Sequence, residues 1–164
     1  MMFCFNAAEV FQIAIEIEEN GKIFYEKAQS RFNDPEVKTL FEDLGRQEVE
    51  HKQKFQNLKA QLPQAATAST VGDPQHELEM YIKMMADQHV FRLGKDLDSQ
   101  LAAISNAADA LKLAIQFEKD SLLFFLSMQE ATCEEKGREL VNLLVKEEQE
   151  HLRRLSLQLR KMAH

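Results

Sequence analysis

One pattern of about fifty residues occurs twice in this chain, displaced by 100 positions. Asn6-Ala7-Ala8 returns as Asn106-Ala107-Ala108, Ala14-Ile15 as Ala114-Ile115, Glu18 as Glu118 and Phe24 as Phe124. Leu40 and Leu44 return as Leu140 and Leu144, and "RQEVEH" (46–51) shares its Glu-x-Glu-His ending with "KEEQEH" (146–151). Thirteen of the 50 positions from 6 to 55 are identical at this shift, where about three would be expected by chance. A fold that accommodates two copies of one unit is most simply built with the copies facing each other across a pseudo-two-fold axis.

The residue types say what each unit is. With five glycines and three prolines in 164 residues, and Glu, Lys, Leu, Ala and Gln in excess, the chain suits an all-α fold. That length is ordinary for one domain with a real core. Asn6 followed by Glu9 predicts the start of a first helix running to about residue 31. Asp34-Pro35-Glu36 predicts a cap and an N1 proline for a second, to about Leu62. Asn106 with Asp109 opens a third helix, and Thr132 with Glu135 a fourth. The expectation is a four-helix bundle of two antiparallel hairpins, about 6–62 and 106–162, joined by a long crossover over 63–105. The crossover opens with the small-residue linker "PQAATASTVGDP" (63–74), continues with a short helix from about Gln75 to Phe91, and ends in a looser approach to the third long helix.

Helical periodicity places the shared polar residues. Phe11, Ala14, Glu18, Gly21, Tyr25, Ala28 and Phe32 follow steps of three and four, and so share one face. The second helix gives Val37, Phe41, Leu44, Glu48, His51, Phe55 and Leu58; the third gives Ala107, Leu111, Ala114, Glu118, Ser121, Phe125 and Met128. The fourth gives Val141, Leu144, Glu148, His151 and Leu155. Four glutamates and two histidines are the only acidic or basic residues in these apolar rows. Glu16, Glu19, Glu26, Glu50, Glu147 and Glu150 fall off them and are read as solvated.

Four carboxylates in an apolar core repel one another and pay a large desolvation penalty. Two divalent cations balance their charge. A Glu and a His three positions apart share one helix face and reach one ion, and a carboxylate spans two ions about 3.5–4 Å apart. Oxygen and imidazole donors without thiolate fit iron or manganese, whereas zinc usually takes fewer carboxylates.

Other classes are disfavoured. A net charge of −7 lacks the basic stripe of a nucleic-acid binder, and Arg153, Arg154, Arg160 and Lys161 suit a helix C-terminus. No apolar run reaches the length of a membrane span, and "MMFCFNAAEV" does not read as a signal peptide. Cys4 and Cys133 form no CxxC pair, which fits a cytoplasmic protein. Met80, Met84 and Met85 read as packing or interface residues, and His76, His89 and His164 as solvated.

Glu18 with "GKIFY" (21–25), "EVEH" (48–51), Glu118 with Phe124-Phe125, and "EQEH" (148–151) resemble the di-iron rubrerythrin branch of the ferritin-like superfamily. That ligand set is also a general description of ferritin-like bundles. The resemblance spans almost the whole chain and implies two iron ions, with manganese or a mixed pair as alternatives. It implies terminal ligation by Glu18 and Glu118, bridging by Glu48 and Glu148, and one iron capped by each of His51 and His151. Tyr25 matches a family tyrosine that hydrogen-bonds near the site; its counterpart in the repeat is Phe125. Two departures stand out. Rubrerythrins proper carry a rubredoxin-like domain with four cysteine ligands, and this chain has two cysteines in all. They also carry a glutamate one turn after the third-helix ligand, where this chain has Ser121.

The resemblance therefore implies a di-iron oxidoreductase that reacts with hydrogen peroxide or dioxygen, in oxidative-stress defence or iron handling. It would draw electrons from an external donor such as a rubredoxin, and would form a homodimer. The alternatives are a ferroxidase or iron-binding protein, and a metal-stabilised bundle with a binding role and no turnover.

Overall fold

The computed structural model describes residues 7–67, 80, 95–132 and 134–163. Six helices lie among them: α1 (Ala7–Gln29), α2 (Pro35–Ala60), α3 (Gln64–Thr67), α4 (Lys95–Ala103), α5 (Ala107–Ala131) and α6 (Glu135–Met162). The four long ones, α1, α2, α5 and α6, form a bundle. Backbone contacts are concentrated within the pairs α1–α2 and α5–α6, so the bundle consists of two hairpins.

The caps explain where the helices begin. The Asp34 carboxylate accepts hydrogen bonds from the backbone N–H groups of Glu36 (3.0 Å) and Val37 (3.2 Å), and Pro35 needs no such acceptor. The Asn106 side chain accepts from the Asp109 N–H at 2.9 Å. The fourth long helix differs from expectation. Its cap is Glu134, whose carboxylate accepts from Lys136 N and Gly137 N. Thr132 instead closes α5: its backbone N–H bonds the Gln129 carbonyl and its hydroxyl donates to the Met128 carbonyl at 2.6 Å. Asn6, the expected cap of α1, lies outside the described residues, as do Cys4, Cys133, Met84, Met85, His76, His89 and His164.

The crossover departs from expectation in two described places. Gln64–Thr67 forms a short helix within the predicted linker, and Lys95–Ala103 is a nine-residue helix where only a looser approach was expected. Leu101 is buried and Ile104 packs against the core, while Lys27 on α1 bonds Asp98 on α4 at 2.6 Å. The approach is thereby held against the bundle. The helix expected over 75–91 falls outside the described residues, apart from the exposed Met80.

The core follows the four rows. Phe11, Ala14, Tyr25, Phe41, Leu44, Phe55, Leu111, Ala114, Phe125, Met128, Val141, Leu144 and Leu155 are all buried. Phe24 and Phe117, off the rows, are buried too and meet edge-to-face with ring centroids 4.6 Å apart. Burying rings of this size is the main apolar contribution to the bundle. No described helix is long and apolar enough to cross a membrane.

Candidate metal centre

The four glutamates and two histidines of the rows meet within the bundle. Glu18 on α1, Glu48 and His51 on α2, Glu118 on α5, and Glu148 and His151 on α6 are each buried. His51 Nδ1 lies 3.6 Å from Glu18 Oε2. His151 Nδ1 lies 3.3 Å from Glu48 Oε1 and 3.4 Å from Glu118 Oε1, so the second half's histidine stands beside a carboxylate of each half. The two imidazoles stack, with centroids 4.8 Å apart and planes inclined at 22°.

These side chains approach one another without bonding one another. Both oxygens of Glu18, Nδ1 of His51 and both nitrogens of His151 are buried with no hydrogen-bond partner among the described residues. Such orphaned groups normally cost about 1–3 kcal/mol each. Donors that converge without satisfying each other fit a cation placed between them. Two overlapping sets offer ligand atoms all within 4.8 Å of one another: Glu48, His51 and His151, and Glu118, Glu148 and His151.

Local packing makes the convergence possible. Gly21 sits one turn after Glu18, and a Cβ there would stand 3.2 Å from Glu48 Cδ and 3.4 Å from its Oε2. The missing side chain lets the α2 carboxylate come up against α1. Gly45 does the same for Tyr25, whose Cβ is 3.3 Å from the position a side chain at 45 would take. Tyr25 is fully buried, and its hydroxyl donates to Glu118 Oε1 across the bundle.

A family model described as rubrerythrin matches residues 9–159. The chain belongs to the rubrerythrin family. No curated protein matches it. Among solved structures, it is similar over 99% of both chains to a candidate ferritin-like diiron-carboxylate protein from Thermotoga maritima, with a TM-score of 0.69 and 22% identity. At that identity the likeness speaks for the fold, which is ferritin-like. In this rubrerythrin-family chain the Glu and His clusters fit a metal, and both the donor set and the family favour iron.

The electrostatics of the protein groups alone show what a cation would relieve. Burial pushes the Glu18 carboxyl well above the usual carboxylate range, and the charges of Glu48, Glu148 and Glu118 add to the shift. Glu148 is raised by burial and then by Glu118. Burial opposes ionisation of Glu118 as well, but the His151 charge and the hydrogen bond from Tyr25 outweigh it and hold Glu118 below the usual range. Burial acts against the His151 imidazolium, yet Glu118 and Glu48 raise it well above the ordinary histidine value. Burial and the nearby carboxylates keep the proton on Tyr25.

One residue near the centre is not solvated as its sequence position suggested. Glu147, off the α6 core row, is only partly exposed and places Oε2 3.2 Å from His51 Nε2. Lys54 of α2 pairs with its other oxygen. The signal available in the sequence was a mismatch between the repeats, since Glu147 aligns with Gln47. Glu50 and Glu150 are exposed, as their phase predicts.

Proposed function

We propose that this chain is a di-iron carboxylate oxidoreductase that reacts with hydrogen peroxide or dioxygen, in oxidative-stress defence or iron handling. The observation that carries the reading is the convergence of four buried carboxylates and two imidazoles, among which the Glu18 oxygens, His51 Nδ1 and both His151 nitrogens lack hydrogen-bond partners among the described residues. Glu48 and Glu148 would bridge the two ions, Glu18 and Glu118 would each bind one, and His51 and His151 would supply one nitrogen apiece. The iron pair, when bound, supplies two electrons to the oxidant.

The chain's own residues prepare that chemistry. The apolar rows and the Phe11–Phe55 pair, whose centroids are 6.4 Å apart, wall the polar cluster from bulk water. Tyr25 keeps its proton and donates to Glu118, fixing the orientation of that carboxylate. Ser121, fully buried one turn after Glu118, offers no carboxylate of its own. The two cysteines form no CxxC pair, so reducing equivalents would come from an external donor such as a rubredoxin. A cytoplasmic homodimer belongs to the same proposal.

Protein purified without added metal, then reduced anaerobically and titrated with peroxide, tests the reading. It should hold about two iron ions per chain, consume about one peroxide per pair, and stop until a donor is added. Stoichiometric iron that neither peroxide nor dioxygen oxidises would leave a metal-stabilised bundle without turnover. Oxidation by dioxygen followed by release of ferric ion would indicate a ferroxidase.

A further inference from the structure

The duplication supplies an internal control for every residue around the centre, and one pair of positions stands out. Both histidines bring Nδ1 to the carboxylates. Their outer nitrogens differ. His51 Nε2 meets Glu147 at 3.2 Å, and Lys54 secures Glu147 from the far side. His151 Nε2 is buried with no hydrogen-bond partner among the described residues.

The cause lies in differences between the repeats. The repeat places Gln47 where Glu147 stands, and Gln47 donates to Asp43 at 3.3 Å. The counterpart of Lys54 is Arg154, and it also goes to Asp43. The cation that secures Glu147 in one half therefore secures a residue one turn away in the other. A carboxylate on the outer nitrogen of a metal-binding histidine fixes its tautomer and ring orientation and makes the inner nitrogen a better donor.

From this we infer that Glu147 is a positioning residue for His51, and that the two halves of the metal centre are consequently unequal, with His51 the more strongly supported ligand. The inference rests on the di-iron reading. Glu147 acts from outside: its carboxylate, 3.2 Å from Nε2, favours the proton on that nitrogen, so that the lone pair of Nδ1 faces the carboxylate cluster. Among the described residues no carboxylate plays this part for His151 Nε2, and its ring is held by burial and by stacking on His51.

Cobalt(II) titration of the purified full chain tests this, followed by calorimetry and by the visible bands of the bound ion. Glu147→Gln should weaken binding about 10–100-fold. Glu150→Gln removes the same charge one turn away, from an exposed carboxylate paired with Arg153, and should leave affinity within about threefold of the parent. The reciprocal Gln47→Glu gives His151 the missing partner and should tighten binding. In the cobalt-loaded protein, the hyperfine-shifted Nε2–H signal of His51 should exchange faster with solvent in Glu147→Gln and be unaffected in Glu150→Gln. Equal losses in Glu147→Gln and Glu150→Gln, or none in either, would overturn the inference while leaving the di-iron reading intact. Should Glu147→Gln fail to fold, unchanged affinity in Gln47→Glu would overturn it alone. A parent chain that binds no cobalt would instead remove the metal centre itself.

Discussion

The two hairpins contribute the same three donors at the same spacing, yet almost everything around those donors differs. Gly21 in the first faces Ser121 as its counterpart in the second, Gly45 faces Val145, Tyr25 faces Phe125, and Val37 faces Gly137. The differences are complementary. Where the first hairpin has glycine, its own bulky neighbours, Glu48 and Tyr25, move in. Where the second has Gly137, it makes room for Ala7 of the first, since a Cβ there would stand 2.8 Å from the Ala7 Cβ. The hydroxyl kept in one half serves the other half's ligand, Tyr25 donating to Glu118. A duplicated site thus keeps its chemistry in the shared residues and its fit in the unshared ones.

The sharpest way to break this comparison is to remove shared residues. Glu48→Ala and Glu148→Ala should each strip most of the bound iron, because each deletes a proposed bridge between ions. Glu50→Ala and Glu150→Ala, two positions on and exposed, should retain it. Metal analysis of the four purified variants decides the matter, and equal losses at positions 48 and 50 would mean that the helical phase is wrong.

Unshared residues should give smaller, one-sided effects. Tyr25→Phe copies the second hairpin's residue into the first and removes the donor to Glu118. A hydrogen bond to a charged group contributes about 1.5–3 kcal/mol, and chemical denaturation should register a loss of that order. Phe125→Leu, by contrast, should cost only what a reshaped apolar core costs, about 1.5 kcal/mol or less. Gly137→Ala should destabilise by roughly 1–3 kcal/mol through overpacking against Ala7, less up to about 1 kcal/mol regained from helix propensity. A melting temperature at or above the parent's would show that α1 can retreat from α6.

The smallest expected effect distinguishes the protein's own charges from those of bound metal. Glu18 and Glu148 titrate above the ordinary carboxylate value of 4.5, and His151 above the ordinary histidine value of 6.5. A group whose folded value is raised contributes stability below its unfolded value and loses it as pH climbs through the folded one. His51, lowered by burial, runs the other way below its ordinary value, and Glu118, held low by His151, matters only in acid. Metal-free protein should therefore melt at least ~2–4 °C lower at about pH 8 than at about pH 6. Iron should invert the slope, because its ligands bind as the deprotonated forms. A metal-free melting point that rises with pH would contradict the assigned shifts.

The bundle and the six polar residues were legible because two signals coincided. Periodicity gave the inward face of each long helix, and the repeat at 100 positions marked which polar residues on that face were paired. Neither signal reaches side chains that act across helices. Glu147 was read as solvated because it lies off its own helix's row, but its target, His51, is on α2. Thr132 fits a capping box by spacing alone, but it ends α5, and Glu134 caps α6. Helices α3 and α4 escaped because four and nine residues are too few to display a period.

The concentration of backbone contacts within each hairpin, set against the few between hairpins, has a consequence in time. Contacts between sequence neighbours form early, and docking of elements a hundred residues apart comes late. During synthesis the first hairpin can be complete while the second is still unmade, with Glu18, Glu48 and His51 already in place and nothing opposite them. The full ligand set comes into being only when the hairpins dock. Any cation that these six residues hold would then be captured as the closing event of maturation, and parting of the hairpins would divide its ligand set.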